Sequence, residues 1–415
     1  MRIRPFVHLL NTLRKHRGGD LQSLRSDDVR AAVIEPVGGH GGMDYYDFGL
    51  CEGLTRAGIS VALYTSDETS PKTAVPYKMR FPYRGIYGVD PSWLRGIRYI
   101  RGSIFALLNA KSSRAQIAHF HFFHVGLLEL FNVLLAKLLG IRVVVTAHDV
   151  QAFVEHLSVP WMLKTAYRIS DKVIAQSKVS EGELRKVLRV PEAKIAVIPH
   201  GNYLHFIEKV PTREEPTREE ARAWVGLPNE GQVLLFFGHI KRVKGLDILL
   251  EAMPRLIQEH PDTTLLVAGK VWKDDMQRYR KQIEALGLSE NCTLHTRFIP
   301  DSEVAYYYAA ADLVVLPYRR IYQSGVLLLA MSFGKPVAVS DIEGMTEIVI
   351  DGYNGYVFPA GNAEALADKL IKVTSNSEEL RQVGARALSH MQEHHDWHVI
   401  GPMTAACYRS VLKGQ

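Results

Sequence analysis

Cysteine is the rarest residue of the chain: Cys51, Cys292 and Cys407 are the only three in 415 residues. They stand far apart and form no CxxC pair. That excludes a disulfide framework and a cysteine-built zinc site, and it fits a reducing, cytoplasmic compartment. Long apolar runs are missing too. The best candidate for a membrane span, Val125 to Val145, is broken by Glu129, Asn132, Lys137, Gly140 and Arg142, so it reads as a core helix followed by a strand. The basic opening MRIRPFVHLLNTLRKHRGG lacks the apolar stretch and small-residue cleavage site of a secretory signal. A frayed extension and an amphipathic surface helix both remain open for residues 1–30. An acidic excess is absent as well: 50 Lys and Arg stand against 44 Asp and Glu, a net charge of +6. Anionic partners follow, whether nucleotides, nucleic acid or an acidic membrane surface, and charge alone does not choose among them.

What is present is a rhythm. A chain of this length exceeds one ordinary core, so two or three domains are expected. AAVIEPV leads through a glycine-rich loop into the helix YYDFGLCEGLTRAG and then into SVALYT. IAHFHFF, IRVVVTAH, KVIAQS and KIAVIPH continue the pattern; VLLFFG, TLLVAGK, CTLHTRF, LVVLPY, PVAVS and GYVF repeat it. Apolar strands alternating with amphipathic helices predict parallel sheets with helices on both faces. The strand signal lapses between Gly201 and Gln232, where PTREE is doubled in PTREEPTREEARAWVG; its charges are expected on a solvated helix face. The spacing predicts an α/β fold of two facing, doubly wound, Rossmann-like domains, residues 31–205 and 206–394. A final helix, about residues 395–415, is left to cross back to the first. Ligands of such sheets sit beyond the carboxyl ends of the strands, so two facing sets of strand ends define an interdomain cleft.

The strand-end loops carry the unusual residues. The first strand ends in Gly38-Gly39-His40-Gly41-Gly42, a ligand loop or a tight turn, with the next helix offering its positive end to an anion. FGHIKRVKG places three cations within four residues between two glycines. A cation at a helix start is disfavoured unless an anion lies nearby, so this loop reads as an anion site with Lys241 and Lys244, rather than Arg242, pointing inward. HFHFFH sets His119 and His121 on one strand face; a metal would need a third ligand, one of the pair packs in a core, and His121 is the one expected at the cleft. His148 ends the next strand. Ser324 in YQSGVLLLAM can cap its helix, and the same free N–H groups, with Gly325 allowing close approach, can bind phosphate.

Taken in order, HFH, TAHD, VIPHGN, FFGHIKRVKGLDILLEA, AADLVVLPY, LLLAMSFGKPVAVSDIEGMTEIV and DGYNGYVF resemble the retaining nucleotide-sugar glycosyltransferases of family four, which have the GT-B fold. The resemblance spans roughly residues 31–412. It implies that residues 206–394 bind a nucleotide-sugar donor and that residues 31–205 form the acceptor side, with His121 and His148. Lys244 matches the lysine of the family's diphosphate-binding pair; His239 stands where the arginine is usual, and Lys241 is placed to substitute. Gly41 and Gly42 match the loop that approaches the transferred sugar, Phe298-Ile299 the backbone that reads the base, and His121 a histidine near the reacting carbon. Ser324, Gly325 and Val326 would meet the leaving diphosphate beside Lys244. Catalysis is accordingly expected from His121 and Lys244.

One departure concerns the ribose. The family's Glu, seven residues, Glu pattern falls on Ile321 and Leu329, neither of which can hydrogen-bond through its side chain. Glu347 is a polar candidate nearby, and a helix cap explains it equally well. No Asp-x-Asp pair is placed to hold a metal, so lysines are expected to do that work, with no cofactor and no nucleic acid partner. The segment PSWLRGIRYIRGSIFALLNAKSSR is basic and amphipathic. It suits an anionic membrane surface, and with it a lipid-linked acceptor in polysaccharide assembly; a helix packed on the sheet with a solvated basic edge is the plainer reading. A nucleotide-sugar epimerase and a non-catalytic scaffold are the rival functions.

Overall fold

The computed structural model describes residues 29–41, 43–71, 73–148, 150, 160–209 and 216–414. The basic opening, Gly42, Asp149 and the first PTREE copy fall outside the described residues.

Seven parallel strands form the first sheet: β1 (Arg30–Glu35), β2 (Ser60–Ser66), β3 (Lys78–Tyr83), β4 (Ile117–Phe122), β5 (Arg142–Ala147), β6 (Lys172–Ala175) and β7 (Ile195–Val197), ordered β3-β2-β1-β4-β5-β6-β7. Six parallel strands form the second: β8 (Gln232–Phe237), β9 (Thr263–Ala268), β10 (Cys292–His295), β11 (Leu313–Leu316), β12 (Val337–Ser340) and β13 (Tyr356–Phe358), ordered β10-β9-β8-β11-β12-β13. Central strands such as VVVTA and VLLFF are apolar throughout because helices cover both sheet faces. Both sheets reverse strand order beside their first strand, where a doubly wound fold opens its binding crevice.

The first sheet has two separate cores. One face packs on the helices Ser92–Ser112, Leu127–Leu138 and Pro160–Ile169. The other packs on Asp44–Arg56 and on the last helix of the chain, Trp397–Lys413, through Leu50, Cys51 and Leu54 against Ile400, Tyr408 and Val411. The contact is close enough that a Cβ on Gly401 would lie 2.2 Å from the carbonyl carbon of Gly53. Trp397 lies against Gly49 and Gly201, and its indole N–H donates to the Asn202 carbonyl at 3.0 Å. All three cysteines are free thiols.

The helix Arg218–Val225 departs from the solvated face expected of PTREEARAWVG. Thr217 caps it, and Glu219 and Glu220 are exposed, but Arg222 is 0% exposed. Its guanidinium donates to Asp312 at 2.7 Å and to the carbonyls of Asn229, Glu230, Gly231 and Ala310 at 2.8–3.1 Å. Five acceptors converge on one planar fork, which offsets the cost of burying the charge.

Candidate active site

A cleft of about 920 Å³ lies between the two sheets. The first domain lines it with Gly39, His40, Asp44, Tyr45 and Glu68; the second lines it with Gly238, His239, Lys270, Trp272, Phe298 and Ile299. The domains touch across it. The Tyr45 hydroxyl donates to the Asp301 carboxylate of the second domain, and the ring of His205, where the first domain ends, contacts the Tyr45 carbonyl at 2.9 Å. On the opposite side, Glu347 accepts from the backbone N–H groups of Lys178 and Val179 at 2.9 and 3.0 Å. Glu347 thus caps the helix Lys178–Lys186 of the other domain, where a carboxylate also meets the positive helix end.

The basic loop after β8 is built by its glycines. Gly245 has φ +69°, and a Cβ there would lie 2.0 Å from the Pro317 carbonyl. This pins the turn Arg242–Lys244 and sends its two cations different ways. Arg242 is exposed. Lys244 turns inward, its ammonium 5.2 Å from the centre of the Tyr318 ring. Among the described residues, no side chain or carbonyl gives that ammonium a hydrogen bond or an ion pair. Burial lowers its pKa from 10.5 to about 8. The open face of Gly238 borders it: a Cβ there would lie 3.1 Å from the Lys244 Nζ and 3.0 Å from Val326. Val326 belongs to the first turn of the helix Gly325–Ser332, which Ser324 caps through Leu327 N–H at 3.1 Å. Gly238 lines the cleft, and Lys244 and this helix start meet directly behind it without lining the cleft themselves; an anion reaching past Gly238 would collect a cation and free N–H groups together. Lys241 and Lys270 add positive charge around His239, whose pKa falls to about 4 chiefly by burial and secondarily through these lysines. His239 is thus neutral at pH 7.

Phe298 is 66% exposed in the cleft, and Ile299 is buried beside it. On the neighbouring strand end, Trp272 and His239 pair their rings at 5.5 Å. Leu329 lines the same cavity, so the position at which the resemblance would place a ribose-binding glutamate is apolar here.

His121 and His148 are corrections to the expected cleft. Neither lines it. Their strand ends turn under the helix Asp44–Arg56, where Tyr46 covers both rings edge-on at 5.0 and 4.8 Å. His121 Nδ1 is 3.5 Å from Asp47, and burial drives both histidines well below the ordinary imidazole range. His119 is a satisfied core residue, 2.7 Å from both Tyr408 and Thr146. The cleft is furnished instead by His40, His205 and His239. Gly39 and His40 carry the glycine loop into the cleft. Sequence reasoning missed Tyr45, His205, Asp301, Lys270 and Trp272. The strand-end rule, applied to β9 as it was to β8, would have found Lys270 and Trp272.

Residues 40–202 match a family model described as Glycosyltransferase Family 4, and residues 217–390 match one described as Glycosyl transferases group 1. A D-inositol 3-phosphate glycosyltransferase of Segniliparus rotundus is 26% identical over 401 residues, covering 91% of this chain and 86% of that one. Among solved structures, sucrose-phosphate synthase of Thermosynechococcus elongatus superimposes with a TM-score of 0.72 at 21% identity, over 93% of this chain and 100% of that one. Anabaena HepE, in complex with UDP and glucose, superimposes with a TM-score of 0.71 at 18% identity, over 92% and 100%.

Proposed function

Because the chain is a GT-B glycosyltransferase of the family-four type, we infer that it moves a sugar from a nucleotide-diphosphate sugar to a lipid-linked or polysaccharide acceptor, with retention and without a metal. The observation that carries the donor assignment is Lys244, a half-buried ammonium with no anionic partner among the described residues, set beside a helix start directly behind the cleft residue Gly238. Breaking the anomeric bond leaves charge on the nucleoside diphosphate. Lys244 and the N–H groups of Gly325 and Val326 are preorganised to meet it, each such donor contributing about 3 kcal/mol to the transition state. Phe298 and Trp272 give a base apolar surface, and the Phe298-Ile299 backbone supplies its polar contacts. With Leu329 in place of a carboxylate, the ribose is held by its neighbours rather than by a side chain at that position.

The expectation of metal independence rests on the lysines that stand where the diphosphate would bind. With purified enzyme, nucleotide-sugar and acceptor, nucleoside diphosphate release is expected only when acceptor is present, at a rate unchanged by chelator. The product should keep the donor's anomeric configuration by NMR. Release without acceptor would indicate an epimerase-like reaction, and loss of rate in chelator restored by magnesium or manganese would refute the lysine assignment.

A pH profile follows from the same residue. Free enzyme holds Lys244 as a cation only below about pH 8, so kcat/KM for the donor should fall as pH rises through that value. Bound diphosphate favours the ammonium, so kcat at saturating donor should hold to higher pH. A flat kcat/KM profile from pH 7 to about 10 would remove Lys244 from donor binding.

A further inference from the structure

The helix Ser92–Ser112 is 21 residues long and contains no acidic residue. Apolar side chains recur along its outer face at every third or fourth position from Trp93 to Leu108, the spacing of one helix stripe. They stand largely in solvent: Trp93 is 66% exposed and Phe105 53%. The stripe continues onto the next helix with Leu127 and Leu138, 71% and 84% exposed, and onto the third with Trp161, 59% exposed. These three helices lie side by side over one face of the first sheet. Scattered surface leucines need no explanation, but an apolar face shared by three adjacent helices does.

Cations rim this face. Arg101, Lys111 and Arg114 are exposed. Arg98 is not among them, because it is held by Asp90 at 2.5 Å and by the Gly85 carbonyl at 2.8 Å. A second copy of the chain would set like cations against each other across an isologous contact. An anionic bilayer complements both features: headgroups meet the rim, and the aromatic and leucine side chains enter the acyl boundary.

The face also borders the cleft. Each helix follows its strand in a parallel sheet, so Trp93, Leu127 and Trp161, all in first turns, stand at the carboxyl edge. Tyr87, in the loop leading to the first helix, stacks on the cleft residue His40 with ring centres 3.8 Å apart. We propose that this three-helix face docks the enzyme on an anionic lipid bilayer, so that a membrane-borne amphiphilic acceptor enters the cleft laterally, headgroup first. The docking stands on the surface itself; the acceptor's route rests on the glycosyltransferase reading.

The test uses the full chain and phosphatidylcholine vesicles with and without phosphatidylglycerol. Binding is expected only with phosphatidylglycerol and should weaken with added salt. Trp93→Ser with Phe105→Ser should weaken it by roughly tenfold or more, and Arg101→Gln with Lys111→Gln should do the same. Both double variants should keep the thermal shift given by nucleoside diphosphate. No binding at low salt, or equal binding by both variants, would overturn the proposal. Self-association in sedimentation that the apolar variant abolishes, without vesicle binding, would assign the face to a second copy. Vesicle binding without transfer to any acceptor would sink the enzymatic reading and leave the docking intact.

Discussion

Lys244→Ala should lower kcat by roughly 10²- to 10³-fold, the cost of losing one preorganised donor to a leaving group, while the melting temperature stays level or rises. The two halves of this expectation have one origin. Folding depresses the Lys244 pKa from 10.5 to about 8 by burial. Between those values the unfolded chain binds more protons than the folded one, so this residue makes stability rise with pH across that window. Below about pH 8 its charge works in full against the fold. Removing it relieves the fold and deprives only the bound diphosphate. Lys244→Met, which keeps the aliphatic packing, should melt highest of the three proteins at neutral pH. A variant that melts many degrees lower yet turns over normally would make Lys244 a structural residue.

Gly401→Ala should cost about 3 kcal/mol of stability, at the upper end for one added carbon in a packed contact. The new Cβ would meet the Gly53 backbone at 2.2 Å, and a backbone cannot swing aside as a long side chain can. Relief requires the helix Trp397–Lys413 to lift, which uncovers Trp397, Ile400, Tyr408 and Val411 together. Gly96→Ala is the control. Nothing lies within 4 Å of its Cβ position, so a helix-interior alanine should gain about 1 kcal/mol there. Equal melting of the two variants in a urea or thermal series would show that the crossover helix adjusts freely.

The strands were legible in the sequence because a doubly covered sheet needs unbroken apolar runs. β3 escaped that reading: Lys78, Arg80 and Pro82 break its pattern, as an edge strand permits. Arg222 escaped for another reason. In sequence it is one more charge in a charged run, and its acceptors come from loops around Asn229 and Asp312 that only the fold assembles. The donor loop was legible because glycines and cations adjoin in the chain. The Tyr45–Asp301 and Glu347–Lys178 contacts join residues 256 and 169 apart, and no local pattern announces them. Strand alternation placed His119 and His121 on one face, but it could not reveal that the helix carrying Tyr46 lies across His121.

The final helix inverts the order in which the molecule can be finished. The second domain's cores draw mainly on residues between Ala221 and Met391, all of them available before Trp397 leaves the ribosome. The first sheet is translated earlier, yet one of its faces lacks its cover, and His119 lacks its Tyr408 partner, until the last twenty or so residues emerge. During synthesis Leu50, Cys51 and Leu54 must wait as an open apolar surface through the making of a whole further domain. The half of the enzyme that is written first is therefore the half completed last, and it is the natural client for a holding chaperone in the interval.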